Sequence, residues 1–261
     1  MGDTLVEVVG SGPPLVLIHG VGLDLRIWDA QVAAFAARHT VVRYDMLGHG
    51  GSALPPQDVE LDHFVVQLTR LLDALDIRRA DVVGFSMGGL VAMGFALAQA
   101  DRLDRLGIVA SVYQRTEAER AGVMARLAMA ESEGPSAIIA PALERWFTPA
   151  WAAANPAAVQ AVRRRLEAND RRGFVPAYRV FATAGAGLDG AIGAIRAPTL
   201  VVAAAEDTGS TPRMARAMAD AIPDSRVVVL AGLRHMVPVE GAEALNATLT
   251  TFLDAEPGAP G

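Results

Sequence analysis

The 261-residue sequence contains no cysteine. Disulfides, thiolate zinc sites, iron-sulfur clusters and a thiol nucleophile are thereby excluded. Lysine is absent too: all 23 basic residues are arginine, which removes Schiff-base chemistry and the lysine of a phosphate-binding P-loop. Basic charge is in deficit, 23 side chains against 29 acidic ones for a net charge of -6. Binding of nucleic acid through a bulk positive field is not expected from that balance, and an anionic small molecule would need a local arginine. Apolar runs are short. The stretch 199–205 falls far below bilayer-spanning length, so no membrane association is expected. Residues 1–12 carry Asp3 and Glu7 without a basic segment followed by an apolar one, so no secretory signal is read and a cytoplasmic location is expected.

What is present suits a globular chain. With 52% apolar and 20% charged residues it can bury a full-sized core, and one domain with an elaboration is expected. Short apolar stretches at 15–19, 40–44 and 81–85 each end at a small or polar residue and read as buried parallel strands. Helical patterns at amphipathic spacing, 28–37, 59–75 and 87–99, alternate with them, and 105–110 reads as another strand. From 113 to about 188 the alternation stops and charged helices take over, broken by Pro135, Pro141, Pro149, Pro156 and Pro176. Strands resume at 199–204 and 226–230, with helices at 211–221 and 240–253. The expected architecture is α/β, a mostly parallel sheet with helices on both faces. Residues 1–112 and 189–261 would form its core and 113–188 a helical cap. The stretch 10–14 reads as a hairpin connection between strands at 4–9 and 15–19, and the Pro- and Gly-rich tail 256–261 is expected to fray.

Gly84-Phe85-Ser86-Met87-Gly88 follows the G-x-S-x-G pattern where a strand ends and a helix begins, the context that pattern requires. A sharp turn there lifts the serine hydroxyl above the sheet edge, with a helix N-terminus behind it that favours a developing oxyanion. A serine needs a base and an orienting acid. Asp207 follows the strand at 199–204 and His235 the strand at 226–230, giving the chain order Ser, Asp, His. His19, His39, His49 and His63 all precede the serine and fit that order badly. Glu206, beside Asp207, is the rival acid, and Asp45 a third candidate. Oxyanion donors fall to the amide of Met87 and to one in His19-Gly20-Val21-Gly22, with Val21 preferred.

With these motifs, together with Asp45-Met46-Leu47-Gly48-His49-Gly50 and His235-Met236, the chain resembles the α/β-hydrolase superfamily. A narrower likeness, to 3-oxoadipate enol-lactonases, rests on Leu23-Asp24-Leu25-Arg26-Ile27-Trp28-Asp29, Arg43-Tyr44-Asp45 and Leu143-Glu144-Arg145-Trp146-Phe147-Thr148-Pro149. That resemblance implies the α/β-hydrolase fold, hydrolysis of a small anionic lactone, no cofactor, and a lid whose Arg145 and Trp146 face the ligand. A planar guanidinium suits a carboxylate, although a surface arginine beside a core tryptophan fits the same residues.

The resulting expectation is a serine hydrolase of a small carboxylic ester or lactone, working through an acyl-enzyme. Two alternatives stay open: hydrolysis of a carbon-carbon bond in a vinylogous diketone, and a non-catalytic ligand receptor on the same scaffold. The apolar cap helices likewise have two uses open to them, covering a pocket or joining two copies of the chain as a homodimer.

Overall fold

Apolar side chains alternate along the first buried strand: Leu15 and Leu17 enter one core, Val16 and Ile18 the other. A strand buried on both faces demands helices on both sides of its sheet. The computed structural model describes residues 3–255, so the tail 256–261 lies outside the described residues. Within them the strands are Val6–Val9 (β1), Pro14–Ile18 (β2), Thr40–Tyr44 (β3), Ala80–Phe85 (β4), Leu103–Val109 (β5), Thr199–Ala204 (β6) and Ser225–Leu230 (β7). They form one sheet in the order β1-β3-β2-β4-β5-β6-β7, parallel except for β1, which runs antiparallel to β3. The helices are Asp29–Phe35 (α1), Leu61–Ala74 (α2), Met87–Ala98 (α3), Glu117–Glu133 (α4), Ile139–Trp146 (α5), Pro149–Ala154 (α6), Pro156–Glu167 (α7), Arg171–Thr183 (α8), Gly185–Leu188 (α9), Pro212–Ala221 (α10), Val237–Glu240 (α11) and Ala242–Leu253 (α12).

Helices α2, α3 and α10 cover the face carrying Val16 and Ile18, through residues such as Phe64, Leu90 and Met214. The opposite face is covered by α1 and α12, with Phe35, Leu245 and Leu249 against Leu15 and Leu17. All the helices from α4 to α9 fall between β5 and β6. The start of α4 is written in the sequence: Glu119 N–H donates to the Thr116 hydroxyl at 3.2 Å, and Thr116 N–H donates back to the Glu119 carboxylate at 2.6 Å, a reciprocal cap that satisfies two otherwise orphaned amides.

Three local expectations are corrected. The stretch 10–14 is not a hairpin, because β3 lies between β1 and β2. Both edges of β2 are taken by parallel partners, β3 and β4, so β1 can pair only on the far side of β3. The connection passes across the start of β3, where Thr40 donates from its amide to the Pro13 carbonyl and from its hydroxyl to the Gly12 carbonyl. Pro176 does not break a helix but sits inside α8. The hydrogen bond it cannot make would have gone to the carbonyl of Arg172, an exposed residue that water can reach. Helix α3 is buried nearly all round, being wedged between the sheet and α2, so it lacks the polar face its pattern suggested.

Asp81, at an irregularity in the pairing of β4 with β5, is a buried carboxylate with one oxygen lacking a hydrogen-bond partner. Burial pushes its carboxyl up to about 6 despite Arg105 at 3.6 Å. A folded-state value above the unfolded one means that its contribution is fully present below the unfolded value and is lost as pH rises through about 6. Asp81→Asn should therefore match the parent near pH 4 and exceed it at pH 8 by roughly 2 kcal/mol, read from urea denaturation at both values.

Candidate active site

Ser86 stands between β4 and α3 with φ 54° and ψ -115°, a backbone conformation that costs a non-glycine residue on the order of 1–3 kcal/mol. Two glycines make this turn possible by close approach. A Cβ on Gly84 would lie 2.1 Å from the Gly88 carbonyl oxygen, and one on Gly88 would lie 2.3 Å from that of Ile18. The turn is pinned from below by Ser111, whose hydroxyl donates to the Ser86 carbonyl at 2.8 Å.

The parallel strands β4, β6 and β7 all end at this edge of the sheet, and the loops after β6 and β7 bring two more groups to the serine. The His235 Nε2 atom lies 3.2 Å from Ser86 Oγ, and its Nδ1 lies 2.6 Å from Asp207 Oδ2. With Nδ1–H donating to the carboxylate, Nε2 is left to accept from the serine hydroxyl. The other carboxylate oxygen of Asp207 accepts from the amides of Gly209 at 2.8 Å and Ser210 at 3.0 Å. Burial alone would raise the Asp207 carboxyl, but the adjacent His235 and these two amides outweigh it and hold the group below its ordinary value. The imidazole is enclosed by Phe85 and Trp146, with ring centroids 5.1 and 5.6 Å away.

The rival acids stand elsewhere. Glu206 is half exposed and turned toward Arg234 at 3.7 Å. Asp45 is buried and accepts from the amides of Leu25 and Gly51, both at 2.8 Å, so it fastens two loops. The Nε2 of His19 accepts from the Met46 amide at 2.9 Å, while its Nδ1–H donates to the Gly20 carbonyl at 2.7 Å. Burial pulls this imidazole down to about 4, keeping it neutral in that role. Val21 lies on the cavity wall, and among the described residues its N–H has no protein acceptor. Met87 opens α3, so its N–H has no carbonyl within the helix to bind. Both amides therefore remain available at the edge where Ser86 stands.

A cavity of about 380 Å³ opens in front of Ser86, with Arg145 and Trp146 on its wall. Its other lining residues include Arg115, Arg126 and Tyr178, which, like Ser111 beneath the turn, stand in no motif of the sequence. Helix α5 is bolted to the histidine loop. Met236 N–H donates to the Trp146 carbonyl at 3.0 Å, and Arg234 donates to the carbonyls of Glu144 at 2.8 Å and Phe147 at 3.1 Å. The Thr148 amide and hydroxyl both bond Glu240. Among the described residues no cluster of His, Asp or Glu could hold a metal ion, and no helix is long and apolar enough to cross a membrane.

A family profile for the alpha/beta hydrolase fold matches residues 13–242. The chain belongs to that family. This hydrolase is 32% identical over 248 residues to an (E)-2-((N-methylformamido)methylene)succinate hydrolase of Acinetobacter baylyi, covering 95% of this chain and 93% of the relative. To 3-oxoadipate enol-lactonase 2 of the same organism it is 29% identical over 234 residues, 90% of this chain and 86% of that one. The crystal structure of the enol-lactonase from Burkholderia xenovorans LB400 superposes with a TM-score of 0.89 at 29% identity, covering 97% of this chain and 98% of the other. The expected similarity to enol-lactonases thus holds in sequence and in fold.

The close contact at the turn gives a direct test in this hydrolase. Because a Cβ at position 88 would meet the backbone carbonyls of Ile18 and His19 at 2.3 and 2.6 Å, neither flexible, Gly88→Ala should cost about 2–4 kcal/mol in urea denaturation. A stability unchanged within error would show that the helix can slide away from β2.

Proposed function

We propose that the protein is a serine hydrolase of a small carboxylic ester or lactone, working through an acyl-enzyme. The observation that carries this reading is the continuous relay from Ser86 Oγ to His235 Nε2 at 3.2 Å and from His235 Nδ1 to Asp207 at 2.6 Å, placed on the strained turn at the head of α3. In this mechanism Ser86 attacks the carbonyl carbon while His235 takes its proton at Nε2. Asp207 keeps Nδ1 protonated and stabilises the imidazolium. The amides of Val21 and Met87 donate to the carbonyl oxygen as it gains negative charge, helped by the N-terminal end of α3. His235 returns the proton to the leaving oxygen, and water activated by the same imidazole then releases the acid.

Helices of the segment 113–188 act as a lid in this reading, with Trp146 closing over His235 and Arg145 presented to a carboxylate on the substrate. Arg145 forms no ion pair with a carboxylate among the described residues, and burial holds its guanidinium below the ordinary value, a condition that a bound carboxylate relieves. The names of the relatives, an enol-lactonase and a hydrolase of a substituted succinate, support a small anionic substrate.

Ser86→Ala should fold as the parent does and lose p-nitrophenyl acetate turnover by about a thousand-fold or more. The parent should also gain the mass of one diethylphosphoryl group on Ser86 when treated with diethyl p-nitrophenyl phosphate, as seen in a peptide digest. Retained turnover in Ser86→Ala, or modification elsewhere, removes Ser86 as the nucleophile.

A further inference from the structure

The cavity in front of Ser86 holds more positive charge than one substrate carboxylate requires. Arg115, Arg126 and Arg145 all line it, and none is ion-paired with a carboxylate among the described residues. The acids on the same wall are already engaged. Asp207 serves His235, and Glu119 is held by Arg213 at 2.8 Å and by the Thr116 amide.

Arg115 is the most telling of the three, being only 9% exposed. One guanidinium nitrogen donates to the carbonyls of Phe181 at 3.1 Å and Ala182 at 3.0 Å, and the guanidinium carbon lies 4.7 Å from the centre of the Phe181 ring. Its other two nitrogens have no protein acceptor among the described residues. Burial pushes the group down to about 10, which still leaves it cationic at neutral pH. A buried cation without a counter-ion is costly unless something else supplies the negative charge. Arg126 lies close enough to depress both Arg115 and Arg145 by repulsion, and its Nε donates to the Tyr178 hydroxyl at 3.3 Å. The other two nitrogens of that guanidinium have no protein acceptor among the described residues.

Resting on the hydrolase reading above, we propose that the substrate carries two carboxylates: one meets Arg145 beside Trp146, and the second is held by Arg115 and Arg126 against Phe181 and Tyr178. Each guanidinium can offer two parallel donors to a carboxylate. The apolar walls strengthen the attraction by excluding water. A neutral ester of the same size leaves all three guanidinium groups without a counter-ion, so the pocket selects by charge as well as by shape.

The test separates binding from turnover. Malonate, succinate, glutarate, adipate and butyrate are titrated calorimetrically into the Ser86→Ala protein, alone and combined with Arg126→Gln or Arg115→Met, with folding checked by circular dichroism. The best diacid should bind at least about ten-fold more tightly than butyrate, and that preference should fall to about two-fold or less in either combined variant. Since Arg115 also anchors two carbonyls, Arg126→Gln decides alone if Arg115→Met does not fold. Equal affinity for diacids and butyrate, or a preference untouched by Arg126→Gln, overturns the second anion site. A preference that disappears in Arg126→Gln, found alongside a parent protein that turns over no ester, upholds the anion site and removes the hydrolase reading instead.

Discussion

The contact between Gly88 and the carbonyls at the end of β2 fixes where the rest of the site can stand. Because no side chain separates them, α3 starts directly against β2, and Ser86 has to occupy the left-handed turn that joins β4 to it. The same closeness brings the loop after β2 to the serine: a Cβ on Gly20 would lie 3.1 Å from the Ser86 Cβ. Val21 on one side and Met87 on the other thus reach one edge of the sheet as a result of backbone packing, with no side-chain recognition required. The strain at Ser86 is maintained by this packing and by the Ser111 hydroxyl beneath it, since an isolated turn of this sequence would relax.

Electrostatics then divides the edge into two regions. Around His235 the polar groups are matched: a carboxylate with its near donors in place faces an imidazole enclosed by Phe85 and Trp146. Further into the cavity the charges are unmatched, with arginines that bind carbonyls, a phenol or nothing. Among the described residues the ion pairs lie mainly at the surface, where such pairs contribute little to stability. On the wall of this cavity the arginines thus stand without a carboxylate partner where partial burial makes that costly, a distribution explained better by the proposed ligand recognition than by folding.

The sheet and the serine turn were legible because their causes are local. Strands buried on both faces leave uninterrupted apolar runs, and the glycines flanking Ser86 are needed whatever lies further along the chain. The order Ser86, Asp207, His235 could likewise be read, since parallel strands all deliver their following loops to one edge. Partners that depend on sheet order could not. The sequence around 10–14 has the composition of a tight turn, and only the occupied edges of β2 forbid a hairpin. Pro176 reads as a helix breaker because its cost depends on whether water reaches one carbonyl of the preceding turn. Arg115 carries no mark in sequence; its meaning comes from Phe181 and Ala182, more than sixty positions away.

The bonds joining the last turn of α5 to the loop of His235 have a mechanical consequence. The Trp146 carbonyl, the Arg234 guanidinium and the pairing of Thr148 with Glu240 tie the end of α5 to the segment that carries the imidazole. A gate hinged there would unseat the imidazole each time it swung open. A ligand entering by another part of the rim would leave these bonds, and the approach of the imidazole to Ser86, undisturbed.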